Sequence, residues 1–175
     1  MYKRQADAAA SAGARVARTA ADLPDLAAGH HVYMEMLNTI TSRGGPSPDG
    51  PGAHGWMDLL DAQLANQRQW ARVFEAFDIV LAPNFGTEAY PHDVTADMAG
   101  RVLTIDGAPT PYIAQLAWPG IATLANLPAT AFPAGLSSAG LPVGLQAIGP
   151  AFEDLTPIRF AELMADVLGG FRAPG

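Results

Sequence analysis

Cysteine is absent from all 175 residues, and lysine occurs once, as Lys3. The first absence excludes disulfides, thiol catalysis and cysteine-based metal sites. The second leaves no basic cluster longer than Lys3-Arg4. With a net charge of −7 and a sequence pI near 4.8, a nucleic-acid surface or an anionic-membrane surface is not expected. No run approaches the ~20 apolar residues of a membrane span. No apolar stretch follows the basic MYKR start, so the N-terminus does not read as a secretory signal. A soluble, cytoplasmic protein is the expectation. Charged residues are also scarce, at 15%, while 49% are apolar. That balance belongs to a folded globular chain, long enough for one domain with a sizeable core.

The apolar residues are arranged as helices alternating with short strands. Residues 3–12 are Ala-rich and helical, with Gly13 placed to end the helix. Residues 14–19 alternate weakly, like an edge strand. Pro24 fits a first helical turn, and Leu26, His30, Tyr33, Leu37 and Ile40 recur at helical spacing. A Gly/Pro loop at 43–55 precedes a second long amphipathic helix running from Trp56 through Leu60, Leu64 and Val73 to Phe77. Residues 78–83, DIVLAP, read as a short strand covered on both faces. An irregular segment to about residue 110 contains an Asp106-Gly107 turn. A helix over 111–125 is expected to kink or divide at Pro119-Gly120. Residues 128–134 and 141–148 read as strands joined by a turn at 136–140. Residues 154–168 close the chain as a helix with Leu155, Ile158, Leu163 and Val167 inward. The pattern is α/β.

Residues 140–150, GLPVGLQAIGP, are unusual for a buried strand. Glycine has nothing to pack there and proline cannot donate to a ladder. Gly140 suits a turn that needs positive φ. Gly144 and Gly149 leave room for a close neighbour, and Gln146, facing an interior, requires hydrogen-bond partners. A surface hairpin with a solvated Gln is the alternative.

Three motifs in order, FDIVLAP (77–83), LPATAFPAG (127–135) and GLPVGLQAIG (140–149), followed by a helix after Asp154, resemble the C-terminal part of the amidase signature family. Residues 74–168 carry the resemblance. It implies a partial amidase-signature fold, a mixed β-sheet flanked by helices, with these strands adjacent at its centre, so that 1–175 would be the C-terminal portion of one domain. It also implies a serine hydrolase that cleaves a carboxamide to an acid plus ammonia or an amine, with no cofactor and no metal. The sequence departs from the family in one place: TLANLP (123–128) has Asn126 where glycine is usual, and Asn tolerates a left-handed backbone better than most residues.

The resemblance further implies a nucleophilic Ser, a second Ser in a cis peptide and a buried Lys whose pKa burial lowers, all N-terminal to the matched region. This chain offers Ser11, Ser42, Ser47, Ser137 and Ser138 and only Lys3, at the start of the chain. Ser137-Ser138 falls in the expected turn, where Ser is favoured as a turn former. No G-x-S-x-G elbow and no phosphate loop is present, and His92-Asp93 lacks a ligand-spaced partner. The chain is therefore expected to be inactive alone. The candidate substrate-binding residues are Asn84 and Phe85, after the strand ending at Pro83, because ligands bind at strand C-terminal ends in α/β folds, and Trp118, before Pro119-Gly120, where a helix interruption can aim a ring inward. Ordinary loop or core packing is the alternative for each. The expected ligand is a small-molecule amide in the complete enzyme, with self-association through an exposed sheet edge. A non-catalytic binding or scaffold module built on the same fold is the competing reading.

Overall fold

The computed structural model describes residues 2–42, 50–94, 97–171 and 173. Ser47 and residues 43–49 of the expected loop fall outside that set. Five helices are described: α1 (Tyr2–Ser11), α2 (Leu26–Thr41), α3 (Ala53–Ala76), α4 (Ala117–Ala125) and α5 (Leu155–Leu168). The strands are β1 (Val80–Pro83), β2 (Val102–Ile105), β3 (Ala108–Pro111), β4 (Ala129–Leu136) and β5 (Pro142–Ile148).

Sheet order accounts for the glycine- and proline-rich run. β5 is the central strand of a three-stranded sheet, β1-β5-β4, and both pairings are antiparallel. Pro83 and Pro133 lie on strands at the sheet's edges and Pro142 opens β5, the positions at which a missing N–H is tolerated. Residues 137–141 turn β4 into β5 with Gly140 at φ +79, and Gly135, at φ +111, accompanies a register shift between Pro133 and Gly135. The second and third motifs thus lie side by side, as expected.

Alternation along these strands divides the side chains between two layers. Phe132, Ala134, Leu145, Ala147 and Met164 form one buried cluster with Ala9, so α1 and α5 cover that face. Gln5 of α1 is 4% exposed and donates to the Ala134 carbonyl at 2.6 Å, fixing α1 to β4. On the opposite face, Ala82 and Ile148 pack with Ala122 of α4, and Trp70 and Val73 of α3 pack with Ala125. The result is a helix–sheet–helix sandwich.

Helix boundaries follow local chemistry. Asp25, not Pro24, begins α2: its carboxylate accepts the Ala27 and Ala28 N–H groups at 2.9 and 3.0 Å, so Pro24 lies just outside the helix. α3 begins at Ala53, taking the last residues of the expected loop. α4 ends on Asn126 in the left-handed region (φ 53, ψ 43), where the Leu127 N–H returns to the Ala122 carbonyl at 3.0 Å. That is the closing pattern of a helix usually completed by glycine.

Several expectations are corrected. Residues 14–19 form no strand; they have no ladder partner, and Arg18 pairs with Asp7 of α1 instead. β1 is an edge strand of the sheet in which only Ala82 is fully buried, so its apolar run is half-covered. The segment before residue 110 is not wholly irregular: β2 and β3 pair as a hairpin around Asp106 (φ 52) and Gly107 (φ 79). The break in the helix expected over 111–125 comes earlier than Pro119. A 3₁₀ turn, Tyr112–Leu116, gives way to α4 at Ala117, so Pro119 sits in the first turn, where its missing N–H has no helical partner to lose. On α5, Leu155 is 78% exposed and Ile158, Leu163 and Val167 also face out. The inward stripe is Pro157, Phe160, Ala161, Met164 and Leu168, with the same helical period but a different phase.

Candidate functional site

β1 delivers its C-terminal end to the middle of the sheet, and β5 receives it there through two residues on one face. Gly144 comes first. A Cβ built on it would lie 2.7 Å from Asn84 Nδ2, so the absence of a side chain is what admits the Asn84 amide. Gln146 is next. It is 7% exposed, and its Nε2 donates to the Pro83 carbonyl at 2.8 Å and to the Trp118 carbonyl at 3.0 Å. Flanked across the sheet by Ala82 and Ala131, its side chain has room to reach both. One buried amide thereby ties the loop carrying Asn84 to the first turn of α4 carrying Trp118. A buried amide left unpaired would cost about 1–3 kcal/mol.

Phe85 points to a different set of partners. Its ring lies 6.0 Å from Tyr90, stacked at 19°, and 6.0 Å from Tyr112, tilted at 53°; Tyr90 and Tyr112 meet edge-on at 6.4 Å. Partial burial and a hydrogen bond with Tyr112 hold the Tyr90 phenol above its ordinary pKa. Gly86 N–H donates to Gln115 Oε1 at 2.9 Å, and Gln115 is itself buried. The loop after β1 is therefore held at Phe85, Gly86 and Tyr90 by Tyr112 and Gln115.

The backbone segments carrying Asn84 and Trp118 thus meet at Gln146, and Phe85 joins an aromatic cluster with Tyr90 and Tyr112. Asn84, Phe85 and Trp118 are half-buried. Sequence reasoning misses Tyr90, Tyr112 and Gln115. Gln115 carries the same signal as Gln146, an amide within an otherwise apolar run; the two tyrosines lie in a stretch without periodicity. The groups presented are neutral amides, carbonyls and rings. They can orient a neutral polar ligand, and the charges of Asp93 and Arg101 lie close enough to act on Tyr90.

Elsewhere, Ser137 is occupied by its turn. Its Oγ accepts the N–H groups of Ala139 and Leu141 at 3.2 and 3.3 Å. The hydroxyls of Ser11 and Ser42 donate to helical carbonyls. Lys3 is exposed on α1. Among the described residues no group of three His, Cys, Asp or Glu side chains could hold a metal ion, and no helix is long and apolar enough to cross a membrane. A groove of about 390 Å³ lies away from these residues, lined by Phe74, Ala125, Asn126, Leu127 and Phe152 among others.

Comparison with known proteins identifies the family. The Amidase family model matches residues 54–156. A glutamyl-tRNA(Gln) amidotransferase subunit from an Exiguobacterium species is 33% identical over 113 residues, covering 62% of this chain and 20% of that protein. Its counterpart from Granulibacter bethesdensis is 36% identical over 89 residues, covering 51% and 16%. The crystal structure of the corresponding amidotransferase subunit from Thermotoga maritima superposes with a TM-score of 0.74 at 21% identity, over 99% of this chain and 40% of that one. A crystal structure described as an amidase gives 0.71 at 17% identity, over 96% and 41%. The chain spans about a fifth of the length of the curated relatives it matches. With more than half of its residues matched by the family model and its whole fold shared with solved members, the chain belongs to the amidase signature family.

Proposed function

We propose that these residues are the C-terminal portion of an amidase-family hydrolase whose complete form cleaves a carboxamide to an acid and ammonia or an amine through an acyl-serine intermediate, and that the chain is inactive alone. The observation that carries this is the condition of its own hydroxyls and amine. Activating a serine needs a base within hydrogen-bond reach, and a lysine base must be buried to be neutral. Lys3 is exposed, and Ser137 is committed to its turn. The span of the match, a fifth of the curated relatives, supports the same reading.

In the complete enzyme, Asn84, Phe85 and Trp118 form part of the wall against which the amide substrate lies, with Gln146 holding two of their segments in place. The unpaired outer edge of β4 and the exposed aliphatic face of α5 are where the chain self-associates when alone. An amide-hydrolysis assay on the purified chain tests the activity claim. No turnover above buffer is expected. Turnover that disappears in Ser137→Ala or Ser138→Ala overturns it. Translation of the DNA upstream of Met1 bears on the competing reading: an in-frame Gly/Ser-rich stretch with a Lys before it supports a portion of an enzyme, and a stop codon with a promoter supports a scaffold module or a decayed gene.

A further inference from the structure

Away from the loop after β1, α2, α3 and α4 meet around a small cavity of about 10 Å³ lined by Leu26, Gly29, His30, Asn66, Trp70 and Gly120 with their neighbours. Two of its lining residues each carry a buried atom, His30 Nδ1 and Asn66 Oδ1, that lacks a hydrogen-bond partner. Each such atom is costly, and native interiors rarely leave two together.

From this junction we infer a buried binding site for a single ordered water, bridging His30 Nδ1 and Asn66 Oδ1. The volume suits one molecule, since a cavity of roughly 10–15 Å³ is what one water needs. The chemistry suits water as well. Asn66 Oδ1 only accepts. A His30 Nδ1 without its proton also only accepts and cannot pair with Asn66 Oδ1; with its proton it could donate directly, but the structure shows no such bond. A water can donate to both, or donate to Asn66 and accept from a protonated Nδ1, and therefore fits either tautomer.

The side chains are poorly placed to solve the problem alone. A Cβ on Gly29 would lie 3.4 Å from Asn66 Nδ2, and one on Gly120 would lie 2.7 Å from the Tyr33 ring, so the helices approach closely here. Gln63 of α3 already bonds the Leu124 carbonyl at 2.9 Å across the same junction. Because Ala117 and Gly120 of α4 also line the cavity, the water sits beneath the turn that presents Trp118.

The test is a crystal structure of this chain, or of the complete protein, at a resolution that reveals ordered solvent. Density within about 2.7–3.2 Å of both atoms is expected. A dry cavity, or an Asn66 amide turned so that Nδ2 bonds His30 directly, overturns the inference. Thermal unfolding supplies a second readout: His30→Phe and Asn66→Leu should each lower Tm by several degrees, and the double variant by clearly less than the sum, because both act on one shared water. Additive losses overturn it too. Neither readout depends on amide hydrolysis, so its failure is separable from failure of the proposed activity.

Discussion

Gln146 Nε2 stands 3.0 Å from the Trp118 carbonyl and 2.8 Å from the Pro83 carbonyl, joining three segments distant in sequence through one side chain. Replacing it with Leu leaves both carbonyls without that donor. Gln146→Leu should cost about 1–3 kcal/mol, two hydrogen bonds at about 0.5–1.5 kcal/mol each, and Gln146→Glu more, since a carboxylate would face two carbonyl oxygens. Chemical denaturation checks this. A loss under about 0.5 kcal/mol for Leu, the lower end for one hydrogen bond, would mean that the two bonds do not hold the loop.

Two glycines of β5 and its exit should respond differently to alanine. At Gly144 the new methyl meets the end of the Asn84 side chain at 2.7 Å, which can swing away. At Gly149 it meets the Pro157 ring, with atoms at 2.7, 3.1 and 3.6 Å, and a ring fixed in α5 cannot. Gly149→Ala is expected to destabilise by about 1–3 kcal/mol, as overpacked sites do, and Gly144→Ala by less than about 1 kcal/mol while displacing Asn84. Adding Asn84→Ala should remove the remaining penalty at Gly144. Equal effects at the two sites would contradict this packing.

Asn126 can be examined by its backbone alone. With φ at 53, Asn126→Gly should leave stability within about 0.5 kcal/mol of the parent, whereas Asn126→Val should lose about 1–2 kcal/mol, the cost of a left-handed conformation in an ordinary residue. Thermal unfolding of the pair decides it; a tolerated Val would mean that the cap rearranges.

The same residues show what is legible in the sequence. Positive-φ turns at Gly140, Asp106-Gly107 and Asn126 are readable because few residues accept that backbone. The adjacency of β4 and β5 follows from a short turn between two apolar runs. The inward stripe of α5 is not readable: Leu155, Ile158 and Leu163 alternate with Pro157, Phe160 and Met164 at the same period, and only the sheet decides which set is covered. The pairing of β2 with β3 is obscured by Pro109 and Pro111, which are poor strand formers but acceptable in an isolated hairpin. Among the candidate residues, Asn84 is suggested by the end of a strand and Trp118 by its place before Pro119-Gly120. Tyr90, Tyr112 and Gln115 depend on contacts between segments far apart in the chain, which no local pattern encodes.

The β4 edge predicts behaviour in solution. Ala129 and Ala131 are exposed on β4, an edge strand of the sheet. The purified chain should form dimers or larger species at tens of micromolar, and Ala131→Lys should shift it towards monomer, as charge on an edge opposes strand addition. Sedimentation velocity measures both. A parent chain that stays monomeric would remove the edge as an association surface.

The most direct measurement is intact mass after incubation with a fluorophosphonate, which modifies an activated serine, run beside a full-length amidase as positive control. An unmodified mass for this chain, with the control fully shifted, is the expected result. A stoichiometric adduct mapping to Ser137 or Ser138 would mean that a working nucleophile is present after all.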